Sequence, residues 1–291
     1  MMKLSVSSYS FQQYIKQGKL TQLSAIAAAK EIGFEAIEFI DLTPPEGTTQ
    51  AEYAVLLREK AERLGMTINA YTIGANLFQD TPEKERAEIE RLKGQVDIAA
   101  LLGASVMRHD VAWGLTKKGA GRSFDAMLPT LAKNAREITE YAAAKGIRTC
   151  SENHGHLAQD SDRVERLVNA VAHDNFGLLV DMGNFACVDE DSAIAVSRVA
   201  PYAFHAHAKD FVKRTFAQGP IPGGCSQTRG CNFLRGVAVG MGDIPVKQCI
   251  AILKRAGYDG YLSIEYEGYE DCIEGIKTGF ANLKKYLAEL L

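Results

Sequence analysis

Tryptophan, cysteine and proline are scarce in this chain of 291 residues, which holds one, six and eight of them. The cysteines (Cys150, Cys187, Cys225, Cys231, Cys249 and Cys272) form no Cys-x-x-Cys pair. That excludes a disulfide scaffold and fits thiols kept reduced in a cytosol. No apolar run reaches the roughly 18 residues a membrane-spanning helix needs. The opening Met-Met-Lys-Leu-Ser-Val-Ser-Ser-Tyr-Ser lacks a signal-peptide core, so the cytoplasm is the expected compartment. Neither sign of charge dominates: 33 basic side chains meet 36 acidic ones, for a net charge of −3. The electrostatic case for a nucleic-acid or membrane partner is therefore weak. With 46% hydrophobic and 24% charged residues, a disordered chain is excluded as well.

What is present is a repeating unit. Gly33, Gly65, Gly103, Gly146 and Gly257 each end an apolar-periodic stretch and precede a short β-rich run. Glycine supplies the left-handed cap that stops a helix. The gap after Gly146 holds two more strands, at 176–181 and 202–207. With a first strand at 3–9, eight strands each precede a helical segment, near 20–31, 51–64, 82–102, 125–145, 162–173, 190–199, 244–256 and 272–290. Leu128, Leu131, Ala135, Ile138 and Ala142 recur at helical spacing, and Thr81-Pro82-Glu83 reads as a helix start. Strands alternating with helices predict a parallel sheet. Ser7-Ser8-Tyr9-Ser10 follows the first strand where a dinucleotide-binding sheet wants Gly-x-Gly-x-x-Gly. The expected fold is a single α/β domain over 1–291, a closed (β/α)8 TIM barrel. A long loop at about 211–243 carries Gly219, Gly223, Gly224, Gly230, Gly236, Gly240 and Gly242, and reads as a lid.

Function in such a barrel sits at the C-terminal ends of the strands. Four consecutive strands there end in Glu152, Asp181, His207 and Glu265. Alternation within Leu262-Ser263-Ile264-Glu265 turns the glutamate inward, and likewise His205 and His207 in Phe204-His205-Ala206-His207. Three converging carboxylates repel one another unless one stays protonated or a cation neutralises them. Oxygen donors with one imidazole suit a single divalent ion: manganese first, then zinc, iron or magnesium.

The ordered blocks Glu152-Asn153-His154-Gly155, Val180-Asp181-Met182-Gly183-Asn184, His207-Ala208-Lys209-Asp210, Val239-Gly240-Met241-Gly242-Asp243-Ile244 and Gly257-Tyr258-Asp259-Gly260-Tyr261-Leu262-Ser263-Ile264-Glu265 carry a resemblance over nearly the whole chain. It is similar to the xylose isomerase-like barrel superfamily of sugar-phosphate isomerases and epimerases. Relatives there include ketose 3-epimerases, hydroxypyruvate isomerase and inosose dehydratase. The resemblance implies that Glu152, Asp181, His207 and Glu265 ligate one divalent cation. Many relatives carry a histidine three residues after the strand 6 aspartate, where this chain has Asn184. That departure counts against the DNA-repair endonucleases of the superfamily, which use the histidine in a multi-metal cluster.

The expected activity is a metal-dependent isomerase or epimerase of a small ketose, keto-sugar or related polyol. It proceeds through an ene-diolate, with Glu152 and Glu265 as acid and base. The alternative is a metal-dependent dehydratase of an inosose or 3-keto-sugar, which begins with the same proton removal. A non-catalytic sugar-binding barrel and an endonuclease stand further back. His109, His154, Asn184, Lys209 and Trp113 are the expected substrate contacts. For Lys209 the competing reading is an ion pair with Asp210 or Glu38, and for Trp113 it is core packing. Glu38 reads as a support beneath the mouth, and Glu267 as a rim residue. The partner is a small carbohydrate, with self-association left open.

Overall fold

The computed structural model describes residues 2–115 and 119–290, so both ends of the expected 1–291 domain lie just outside it. The chain begins with β1 (Lys3–Ser7), the short α1 (Gln12–Lys16), α2 (Gln22–Ile32), β2 (Ala36–Ile40), α3 (Gln50–Arg63), β3 (Thr67–Ile73) and α4 (Pro82–Leu102). It continues with β4 (Val106–His109), α5 (Phe124–Ala143), β5 (Arg148–Glu152), α6 (Ser161–Val171), β6 (Phe176–Asp181), α7 (Ser192–Val199) and β7 (Ala203–Ala208). After β7 come β8 (Asp210–Arg214), β9 (Ser226–Gln227), β10 (Phe233–Val237), α8 (Val246–Arg255), β11 (Tyr261–Ile264) and α9 (Cys272–Glu289). The strands β1, β11, β7, β6, β5, β4, β3 and β2 close into a ring in that order. Every neighbouring pair in it is parallel. This is the (β/α)8 barrel that the repeating unit predicts.

The local reasons are those in the sequence. Thr21, Thr49 and Thr81 accept hydrogen bonds from the third residue of the helices they start, and Pro82 occupies the first turn of α4. Gly33 and Gly103 end α2 and α4 at φ of +114° and +75°, a region that costs a side-chain-bearing residue strain. The first strand stops at Ser7, two residues early, because Ser7 Oγ accepts from Tyr9 N–H and the chain winds into a 3₁₀ turn.

Inside the barrel, Ala70, Val106, Cys150 and Leu179 form a small buried apolar layer, closed by Phe204. That layer sets the parity of the strands. Two residues further along β4, β5 and β6 stand Arg108, Glu152 and Asp181, which therefore also point inward. Phe39, Leu57, Leu92 and Leu131 fill the second layer, between barrel and helices.

The segment expected as a glycine-rich loop is folded. β8, β10 and β9 make a three-stranded antiparallel sheet beside the mouth. The alternation in Asp210-Phe-Val-Lys-Arg and Phe233-Leu-Arg-Gly-Val is the strand signal, and the glycines mask it. Gly236 is a point of close approach rather than a hinge: a Cβ there would stand 2.3 Å from the carbonyl oxygen of Glu267. Asp210 fastens the end of the segment, accepting from the backbone N–H groups of Phe211, Gly240, Gly242 and Ile244.

Candidate metal centre

His207 stands between two groups of carboxylates. Below it, Nε2 lies 2.8 Å from Glu38 Oε1, and the other Glu38 oxygen pairs with His205 Nε2. Above it, Nδ1 lies 3.8 Å from Glu152 Oε1, 3.7 Å from Asp181 Oδ2 and 3.7 Å from Glu265 Oε2. Those separations are too long for hydrogen bonds. His207 Nδ1 and Asp181 Oδ2 are buried with no hydrogen-bond partner. One donor atom from each of Glu152, Asp181, His207 and Glu265 falls within 4.8 Å of all the others. The four expected ligands are thus brought together.

Each ligand is aimed by its neighbours. Asp181 Oδ1 accepts from the backbone of Gly183 and Asn184 at 2.7 and 2.9 Å. Asn153 clamps the Asp181 main chain on both sides, at 2.9 Å each way. Glu152 is held by Arg108 Nη2 at 2.7 Å and by Asn184 Nδ2 at 2.9 Å. Glu38 accepts a hydrogen bond from His207 Nε2–H, which leaves the Nδ1 lone pair for an ion. Without an ion, burial disfavours the imidazolium, but the charges of Glu38 and Glu265 outweigh burial and raise the His207 pKa well above its usual value. A cation at the centre takes the place of that proton. Orphaned buried donors of this chemistry fit a divalent ion.

Burial holds the Glu152 carboxyl above its usual pKa, against Arg108 and with the help of the Glu265 charge. For Glu265 burial pushes the same way, yet Lys209 and His207 overcome it and hold the carboxyl well below its usual range. Two glutamates of one site are therefore biased toward opposite protonation states.

Lys209 pairs with neither of the partners considered from the sequence. Its Nζ contacts Glu265 Oε2 and lies 3.3 Å from Asp181 Oδ2, 3.4 Å from Glu267 Oε1 and 3.2 Å from Asn184 Oδ1. Asn184 is thereby wired between Glu152 and Lys209 beneath the cavity rather than on its wall. Above the cluster opens a cavity of about 230 Å3 bounded by Tyr9, Asp41, Trp113, His154, Lys209 and Glu267. Trp113 is 58% exposed, so it forms a wall of the mouth and not of the core, with its ring edge-on to His154.

His109 is a correction. It is fully buried, packs on Phe176 and bonds its own neighbour's carbonyl, Asp110 O, through Nδ1. It does not line the cavity. The inward residue of β4 is Arg108, which bridges Glu152 and Asp110, and Asp110 in turn holds His154 Nδ1 at 3.1 Å. The parity rule that selects His207 and Glu265 selects Arg108 over His109. Tyr9 and Asp41, which also line the mouth, had no signal in the sequence, since Tyr9 sits in the short 3₁₀ turn after β1 and Asp41 in irregular chain after β2.

Residues 26–286 match the family model described as xylose isomerase-like TIM barrel. The chain belongs to this family. Among solved xylose isomerase-like folds, L-ribulose 3-epimerase superposes with a TM-score of 0.73 at 17% identity, covering 100% of this chain and 96% of that one. The probable 3-DHS dehydratase AsbF from Bacillus anthracis gives 0.72 at 18% identity, covering 97% and 99%. The IOLI protein, solved with a bound zinc atom, gives 0.73 at 16% identity, covering 100% and 99%. No curated protein sequence matches the chain significantly. No helix among the described residues is long and apolar enough to cross a membrane.

Proposed function

We propose that this xylose isomerase-like barrel is a metal-dependent isomerase or epimerase of a small ketose, keto-sugar or related polyol. The observation that carries this is the convergence of Glu152, Asp181, His207 and Glu265 on one point under a sugar-sized cavity, with His207 Nδ1 and Asp181 Oδ2 lacking hydrogen-bond partners. One of Glu152 and Glu265 removes the proton beside a substrate carbonyl and the other returns one, Glu265 being the better placed base because Lys209 keeps it ionised. A divalent cation on Glu152, Asp181, His207 and Glu265 supplies charge stabilisation for the oxygens of the substrate. Lys209 steadies the ionised Glu265, and Arg108 with Asn184 keeps Glu152 aimed. Trp113 and Tyr9 at the mouth screen the ene-diolate from bulk water.

A dehydratase starts with the same proton removal, and one structural relative bears that name. Elimination also needs a proton for the departing hydroxyl. The same two glutamates can supply it, so the two reactions differ in whether water leaves the product. The cytoplasm is the compartment we assign on composition, and manganese the cation we assign first.

The test is incubation with ketoses, inososes and 3-keto-glycosides in deuterated water with Mn²⁺. Deuterium incorporated at one carbon, with the carbon skeleton and its hydroxyls intact, supports the reading. Loss of water from the product moves it to the dehydratase, and no incorporation with any of them overturns it.

A further inference from the structure

The charges around the cavity are lopsided. Asp41, Asp110, Glu152, Glu265 and Glu267 all line it, and Asp181 lies just beneath. Among the described lining residues only Arg108 and Lys209 carry a fixed positive charge. Both are committed to carboxylates of the same site. Arg108 gives Nη2 to Asp110 and Glu152, at 2.8 and 2.7 Å, and Nη1 to the carbonyl of Ile73 at 3.1 Å. Lys209 is surrounded by Asp181, Glu265, Glu267 and Asn184. His154 already turns Nδ1 to Asp110. Even with two charges added by a divalent ion, the carboxylates outnumber the positive charges among the described residues.

From this we infer that the substrate is uncharged: an unphosphorylated sugar or polyol, with Asp41 and Glu267 as the residues that keep anions out. The inference rests on the reading of the site as one that handles sugars, and narrows it. A phosphate or carboxylate would need a free arginine or lysine to replace its hydration shell, and among the described lining residues both such side chains are already paired with carboxylates. Hydroxyl groups are donors and suit the same wall. Glu267 is about a third exposed at the rim, and Asp41 has only a long 3.5 Å contact from the Gly74 amide, so both carboxylates have lone pairs free for sugar hydroxyls. The exposed face of Trp113 takes the apolar C–H side of a ring. At about 230 Å3 the space is smaller than the roughly 300–1,000 Å3 that drug-sized ligands occupy, which fits one monosaccharide unit.

The test is calorimetric binding to Mn²⁺-loaded protein, run beside the deuterium-exchange assay. The probes are D-ribulose, D-fructose and an inosose, against ribulose 5-phosphate, fructose 6-phosphate and 3-dehydroshikimate. The neutral compounds should bind at least about tenfold tighter than their anionic counterparts, the size of a 1.4 kcal/mol difference. Asp41→Asn and Glu267→Gln should each narrow that ratio by strengthening anion binding. An anion that binds as tightly as its neutral counterpart overturns the inference and leaves the isomerase reading standing. Neutral sugars that bind without exchanging a proton support the inference and overturn the reaction. Binding of no neutral compound overturns the inference outright.

Discussion

His207 belongs to two groups of ligand-type side chains, one on each side of its ring, and the two differ in a single respect. Below, Glu38, His205 and His207 satisfy one another: each Glu38 oxygen has an imidazole N–H. Above, Glu152, Asp181, His207 and Glu265 surround a point at which His207 Nδ1 and Asp181 Oδ2 have no hydrogen-bond partner, with the Lys209 ammonium 3.3 Å from the latter. Both groups have the donor types and the spacing for a cation. Buried polar atoms are ordinarily paired, so a group whose pairing is internal is a scaffold, and one left open is a candidate binding site. The lower group orients the upper. The comparison also explains why Glu38, with burial opposing and both histidines favouring ionisation, is held well below the usual carboxylate range.

Variants at the two levels should separate these roles. The largest effect belongs to the upper glutamates: Glu265→Gln or Glu152→Gln should lower substrate proton exchange by about 10²–10⁴-fold, read as deuterium incorporation. Next, a cation held at about a hundred times its Kd should stabilise the fold by ~2.7 kcal/mol in urea unfolding. Asp181→Asn should remove that increment. Glu38→Gln should keep the cation but weaken it by about 10–100-fold, the usual effect of losing a partner that orients a ligand, read by competition with a chelator.

The smallest effect is in pH. A carboxyl with a depressed folded pKa stabilises the fold above its unfolded pKa, and that stability is lost as pH falls through the folded value. The unfolded pKa of Glu38 is near 4.5, so wild-type protein should lose stability as pH falls below that. Glu38→Gln, measured in the same buffers, should lose less.

The fold was legible because glycine caps and apolar periodicity repeat unit after unit, so even the helix bounds fall within a few residues of the observed ones. The four residues of the candidate metal centre were legible because each stands at a strand tip, where parity decides direction. The same parity applied to Val106-Met107-Arg108-His109 would have chosen Arg108. His109 drew attention as an imidazole, although its alternation places it among the helices. Asp41 and Tyr9 were not legible, since a bend or a single 3₁₀ turn after a strand has no period to say where it points. Glycine count concealed β8 and β10, because Gly236 serves contact with Glu267 and not mobility.

One titration tests the account most directly. Metal-stripped protein titrated with Mn²⁺, followed by calorimetry and by the paramagnetic resonance of free Mn²⁺, should bind one equivalent. That site should vanish in Asp181→Asn and survive, weakened, in Glu38→Gln. Binding that persists unchanged in Asp181→Asn but disappears in Glu38→Gln would place the ion in the lower group and contradict the assignment.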